Sequence, residues 1–382
     1  MSEETFVREL ERRADDVQPR HVGFEDVRAA AHRIRRRRRV AASAAAAAVV
    51  AAVLVAPGLV GGGSPRGDDP DPAPPTPSGH TAFLHDGRIT LPDGSTVDVG
   101  LDEQDVLQLG VLSDGRIVAA TSRPRAIQVF SPEGERTAIH RDVVNAITMS
   151  PDDTLAAWVD GSDEVRVLES GVEEPVTLSG VPLPEETADF PTVNAVVGSG
   201  CAENGCIAYA GDGTTTSAGA TLDGPVELST RTPLRITDVS LDGDRWAVSF
   251  LPDQDEQFGC SGIYDVKADE VTARSCETSG LRFAPDGEHL LGMRGDNSMY
   301  GQVEVYDQEL GQVFVYDPGG RRVVKAAAWA DDTHLLVVTS ELRSRPEWNL
   351  LRVPIDGGDP EVLAGPVDGP NPESASAFVL SD

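Results

Sequence analysis

The sequence predicts an all-β fold, a seven-bladed β-propeller with six blades as the alternative count, preceded by a short helical arm and one transmembrane helix. Three observations predict it: a recurring turn unit, an apolar segment behind a block of arginines, and a spacer rich in glycine and proline. The turn unit reads Ser-Asp-Gly at Ser113–Gly115, Ser-Pro-Glu-Gly at Ser131–Gly134 and Ser-Pro-Asp-Asp at Ser150–Asp153. It returns at Leu241–Gly243, Ala284–Gly287 and Ala330–Asp332. Apolar runs flank most copies, as at Ala146–Met149 and Leu155–Val159, the pattern of strand, tight turn and strand. Copies recur roughly every 40–48 residues, the period of a four-stranded blade.

Residues 1–39 read as a cytoplasmic helical arm. Phe6, Val7, Leu10, Ala14 and Val17 recur at helical spacing up to Pro19, and Phe24, Val27, Ala31 and Ile34 form a second stripe. Both helices are short and marginal alone in water. Residues 1–32 are therefore either a docking segment for a cytoplasmic partner or a juxtamembrane helix on anionic lipid. The arm has no cysteine, so it lacks the His-x-x-x-Cys-x-x-Cys set a structural zinc needs.

Residues 40–60 follow the arginines Arg33 and Arg35–Arg39 and carry no charge. At about 1.5 Å per residue they cover roughly 30 Å, one hydrocarbon core. The arginines orient the helix with its N-terminus cytoplasmic and the C-terminal part outside, in the cell membrane. A cleaved signal peptide is one alternative, against which stand Pro57 and the length of the preceding arm, and a soluble alanine-rich helix is the other, against which stand the flanking arginines. No cysteine stands directly after the apolar run, within residues 61–79, so a lipid anchor is not expected. Residues 61–79 pair a flexible Gly-Gly-Gly-Ser with a stiff proline-rich stretch, a spacer between bilayer and head.

Residues 80–382 form the head. Blades are expected from Val106, Val143, Thr192, Ile236, Leu281 and Ala326 onward. The seventh combines Ala82–Val99 with the terminal strand Ala375–Leu380, so that the two ends close the ring and no sheet edge is left open. Apolar residues make up 40% of the chain and aromatics only 5%, so the core must rest on Val, Leu, Ile and Ala.

Charge narrows the partners. Residues 1–39 hold 11 Lys/Arg and 8 Asp/Glu, and the remaining residues 21 and 55. A head this acidic repels phosphate backbones, so no nucleic acid is expected as a partner. The four cysteines, Cys201, Cys206, Cys260 and Cys276, all lie beyond the apolar segment. Cys260 and Cys276 flank a hairpin centred on Ala268, and Cys201 and Cys206 flank a turn-rich loop, so each pair lies within disulfide reach. Free thiols and a four-thiolate metal site are the competing readings. Disulfides suit an oxidising compartment.

The turn residues resemble those of WD-repeat-like and TolB-like β-propellers. The likeness rests on Ser150-Pro151-Asp152-Asp153 with Leu155–Trp158, on Ala284-Pro285-Asp286-Gly287 with His289–Leu291, and on Ala330-Asp331-Asp332 with His334–Leu336. It covers roughly residues 80–382 and implies a ring with a central channel. The Gly-His and Trp-Asp dipeptides of true WD repeats are absent. The complete layout resembles membrane-anchored propeller proteins of actinobacteria, a likeness that brings no catalytic motif.

No residue is assigned to catalysis, and no cofactor or metal is expected. No Gly-x-Ser-x-Gly elbow occurs. Asp253, Asp255 and Glu256 lack calcium-hand spacing and read as solvated loop charge. His289 and His334 follow equivalent turns and read as structural. Trp158 and Trp246 fall within strand patterns and read as core. Trp348, after Arg345-Pro346-Glu347, reads as a loop residue and is the candidate contact residue. The function expected is a non-enzymatic module outside the membrane that binds or senses a protein or cell-wall component. The alternatives are a regulator whose arm contacts a transcription factor such as a sigma factor, and a wall-directed hydrolase with its site in the channel.

Overall fold

Twenty-eight strands build the part of the chain that the computed structural model describes, residues 81–381 apart from 145, 181–190, 212–216, 227, 229, 231–233, 251–259 and 297–298. The arm, the apolar segment and the spacer lie outside the described residues, as do Asp253, Asp255 and Glu256. Among the described residues no helix is long and apolar enough to cross a membrane.

Blade I takes β1 (Phe83–His85), β2 (Arg88–Thr90) and β3 (Thr96–Asp98). Blade II is β4 (Val106–Val111), β5 (Ile117–Ser122), β6 (Arg125–Phe130) and β7 (Arg136–Arg141). Blade III is β8 (Thr148–Met149), β9 (Leu155–Val159), β10 (Glu164–Glu169) and β11 (Val176–Gly180). Blade IV is β12 (Thr192–Gly198), β13 (Cys206–Gly211), β14 (Ala218–Thr221) and β15 (Gly224–Val226). Blade V is β16 (Arg235–Val239), β17 (Arg245–Phe250), β18 (Cys260–Asp265) and β19 (Glu270–Ser275). Blade VI is β20 (Ser279–Phe283), β21 (Leu290–Asp296), β22 (Met299–Tyr306) and β23 (Gln312–Tyr316). Blade VII is β24 (Arg322–Asp331), β25 (His334–Glu341), β26 (Glu347–Pro354) and β27 (Glu361–Asp368).

The last strand, β28 (Val379–Leu380), completes blade I from the other end of the chain. It lies first in the order β28-β1-β2-β3, antiparallel to β1, with Phe83 opposite Leu380 and Leu84 opposite Val379. The expected terminal strand is thus present but shorter than Ala375–Leu380. Ser381 extends the join: its hydroxyl accepts from the Ala82 amide at 2.7 Å, and its own amide donates to the Ala82 carbonyl at 2.8 Å. Seven blades, not six, are the count among the described residues.

Strand position explains strand composition. The second strands β5 and β9 are buried almost throughout, and both read as continuous small apolar runs, Ile-Val-Ala-Ala-Thr-Ser and Leu-Ala-Ala-Trp-Val. Neighbouring blades cover both of their faces, so period-2 alternation disappears. The outer strand β19 alternates exposed and half-buried residues, as a strand with one wet face does. The outer strands β7 and β11, the latter with Leu178 buried in the core, were not among the strands expected from sequence.

Seven buried apolar clusters hold the ring, and each joins one blade to the next. Leu109 and Leu84 meet between blades I and II, Ile127 and Trp158 between II and III, and Val165 and Val196 between III and IV. Tyr209 and Trp246 meet between IV and V, Ile263 and Leu281 between V and VI, and Val305 and Leu335 between VI and VII. The seventh cluster joins Trp348 of blade VII to Phe378 beside β28. An open row of seven blades has six such interfaces; the seventh is what closure adds.

Candidate functional site: the axial channel

The innermost strands of the blades face one another around a cavity of about 420 Å³. Its wall is built from Gln108 of β4, Thr148 and Met149 of β8, Thr192–Asn194 of β12, Arg235 and Thr237–Val239 of β16, Leu281–Phe283 of β20 and Trp329 of β24. Ser150, Pro151, Asp153, Leu241, Ala284 and Pro285 belong to the turns that follow three of these strands, and they line it too. Leu241 is more than half exposed.

Polar groups beside the cavity tie neighbouring blades. The Thr148 hydroxyl donates to the Val193 carbonyl at 2.6 Å, and the Thr237 hydroxyl to the Leu281 carbonyl at 3.4 Å. The Thr81 hydroxyl donates to the Trp329 carbonyl, and the Trp329 indole N–H to the Arg282 carbonyl at 3.4 Å. Asp238 accepts from the Phe283 amide and the Val239 amide, both at 2.7 Å. Burial pushes its carboxyl up to about 6, while those two N–H groups and the Arg282 charge pull the other way. Asp238 is therefore a structural staple between blades V and VI.

Asp153 is placed differently. It closes the turn after β8, where its amide donates to the Ser150 carbonyl at 2.9 Å. The preceding Asp152 caps that turn, accepting from the Ser150 hydroxyl at 2.8 Å and from the Thr154 amide at 3.3 Å. The Asp153 carboxylate makes no hydrogen bond among the described residues. Burial and the neighbouring Asp152 charge push its carboxyl up to about 7.

The residues singled out from sequence fall elsewhere. Trp348 is a correction: it is 0% exposed, lies in the interface between blades VII and I, and donates its indole N–H to the Pro370 carbonyl at 3.0 Å. It belongs to β26, not to a loop, and can touch no partner. The cysteines pair as Cys201–Cys206 and Cys260–Cys276, with no free cysteine. Trp158 and Trp246 are core, and Trp246 stacks on Tyr264 at 5.4 Å between ring centroids. His334 contacts the Asp331 carboxylate through Nδ1 at 3.0 Å. The His289 ring stands 6.5 Å from that of the buried Trp329. Among the described residues no group of three or more His, Cys, Asp or Glu is arranged to hold a metal.

Sequence reasoning missed Asp153, Asp238 and the arginines Arg235 and Arg282. For Asp153 a signal existed: its turn reads Ser-Pro-Asp-Asp where another copy reads Ala-Pro-Asp-Gly. For Asp238 none did, because its partner Phe283 lies 45 residues along the chain.

No protein-family model matches this chain, and no curated protein matches it. Among solved structures it is similar to TolB from Acinetobacter baumannii, with 14% identity and a TM-score of 0.43, over 62% of this chain and 63% of that one. A protein assigned as TolB from Agrobacterium tumefaciens gives 13% and 0.41, over 67% of this chain and 97% of that one. A eukaryotic initiation factor gives 13% and 0.41, over 75% and 86%. The chain folds as a seven-bladed β-propeller, and its blade count rests on the strand pairing described above.

Proposed function

We propose that this chain is a single-pass membrane protein whose propeller head stands outside the cell and binds another molecule at the turn-lined mouth of its axial channel, without transforming it. The observation that carries the reading is the channel itself, a preformed cavity whose walls are fixed by bonds between neighbouring innermost strands. A wall that does not rearrange loses little entropy when a ligand enters. The non-catalytic part is supported by Asp238, whose carboxylate is engaged by two amides. The extracytoplasmic part is supported by the arginine block before residues 40–60 and by two disulfides in the head. The partner class is a protein or cell-wall component.

Photo-cross-linking in intact cells tests this. A benzoylphenylalanine at Leu241 marks the channel mouth, and one at Val362 marks the exposed outer strand of blade VII. Cross-links from 241 and not from 362, with the head digested by protease added to whole cells, are the expected result. Cross-links from 362 alone, or a head that external protease never reaches, contradict it.

A further inference from the structure

The turns that join the first and second strands of blades II, III, V and VI share one geometry. In each, the amide of the fourth residue donates to the carbonyl of the first: Gly115 to Leu112, Asp153 to Ser150, Gly243 to Ser240 and Gly287 to Ala284. The third residue is always an aspartate, and its carboxylate accepts the next amide but one: Asp114 from Arg116, Asp152 from Thr154, Asp242 from Asp244 and Asp286 from Glu288. The fourth residue has positive φ in every copy, +86° at Gly115, +72° at Gly243 and +74° at Gly287. Glycine occupies that place at no steric cost. Blade III alone of the four puts a side chain there, Asp153 at φ +54°.

Nothing among the described residues uses that side chain. Asp152 already caps the turn, and the bonds Asp153 makes run through its backbone: its amide to Ser150, and its carbonyl, which accepts from the Ser113 amide of blade II at 2.7 Å. The carboxylate is partly withdrawn from water, and the charge acting on it is that of another carboxylate. The arginines that line the cavity belong to blades V and VI, Arg235 on the same strand as Asp238 and Arg282 on β20. An ionised group in this position costs stability, and glycine would relieve the cost. Departures from a local rule without internal compensation are where function is expected.

We propose that Asp153 is the recognition carboxylate of the channel mouth and that it takes a cationic group of the bound partner, an ammonium or a guanidinium. The inference rests on the channel being the binding site. A cation supplies what the carboxylate lacks, a charge-assisted donor in a partly dry setting. The adjoining Pro151, Leu241 and Pro285 provide apolar surface for the carbon chain behind such a group. Lys and Arg side chains and a free N-terminal amine share this chemistry.

Agmatine carries both cationic groups, and 1,4-butanediol of similar length is the neutral probe. Calorimetric titration of the full chain at physiological ionic strength is expected to show saturable agmatine binding and none of the diol. Asp153→Asn and Asp153→Gly are both compatible with positive φ and keep the fold. Each is expected to weaken binding about tenfold or more. Glu373→Gln removes an exposed carboxylate outside the cavity and leaves binding unchanged. Equal affinity in wild type and both Asp153 variants, or no saturable binding, overturns the proposal. Cross-links from position 241 that persist in Asp153→Asn leave the channel reading standing while the cation inference falls. Agmatine binding that both Asp153 variants weaken, without cross-links from 241, leaves the cation site of the channel standing while the reading of a macromolecular partner falls.

Discussion

Asp153 carries a stability consequence whose sign is opposite to the usual carboxylate. Its carboxyl titrates near 7 in the folded chain against an ordinary value of 3.8, so the folded state holds its proton more tightly than the unfolded state. Stability therefore falls as pH rises from about 4 through about 7, and the penalty is fully present above that window. Asp153→Asn removes the ionisation and is expected to stabilise by about 1–3 kcal/mol near pH 8. The gain should vanish near pH 4, where the folded-state carboxyl is protonated and both side chains are neutral. Urea unfolding at the two pH values measures this, and an equal gain at both would contradict it. Trp348 behaves as an ordinary core residue: Trp348→Ala should cost about 3–5 kcal/mol and Trp348→Phe less, since only the bond to the Pro370 carbonyl and part of the ring are lost. Its burial was not legible from Arg345-Pro346-Glu347-Trp348, because the proline suggests a loop and the covering residues, Ala377 and Phe378, come from the chain end. The aspartates that cap the turns were legible, since an Asx cap needs only its own neighbours two residues on.

At the scale of the element, hairpins whose strands are neighbours in sequence were readable and outer strands were not. The hairpin centred on Ala268 was readable and set the Cys260–Cys276 pairing, which the register of β18 against β19 accommodates, with Ser261 opposite Ser275. Strand β7 reads Arg-Thr-Ala-Ile-His-Arg, too polar to separate from loop, and it is a strand because β6 offers it a free edge. The disulfides differ in what they constrain. Cys260→Ser with Cys276→Ser opens a loop with a sequence separation of 16 and should cost about 3 kcal/mol. Cys201→Ser with Cys206→Ser opens a separation of only 5 and should cost less. That second loop has another restraint: both Glu169 carboxylate oxygens accept from it, the Gly200 amide at 2.6 Å and the Cys201 amide at 3.1 Å. Glu169→Ala leaves those two amides without the carboxylate and should cost about 1–3 kcal/mol in the same denaturation assay. A loss below a few tenths would show that water replaces the carboxylate.

On the scale of the whole molecule, architecture follows from the turn period, and chemistry follows from closure. The period fixed where blades begin, because each blade repeats the same strand and turn grammar. The channel could not be read that way: its walls bring together residues from β4 to β24, which no local pattern connects. Closure does that, and it is held by two residues of β28 against β1, by Ser381 on Ala82, and by the cluster of Trp348 with Phe378. A chain ending before Phe378 loses the seventh interface, and its thermal unfolding should broaden and shift down. The most direct measurement is a cross-link across the closing pair. With Phe83→Cys and Leu380→Cys together in the full chain, oxidation of the native protein should form a disulfide between positions 83 and 380 in good yield, read by mass spectrometry of the peptides. A bond that forms only after unfolding, or does not form while the protein stays folded, would mean the ends do not meet, and ring, channel and recognition site would go with them.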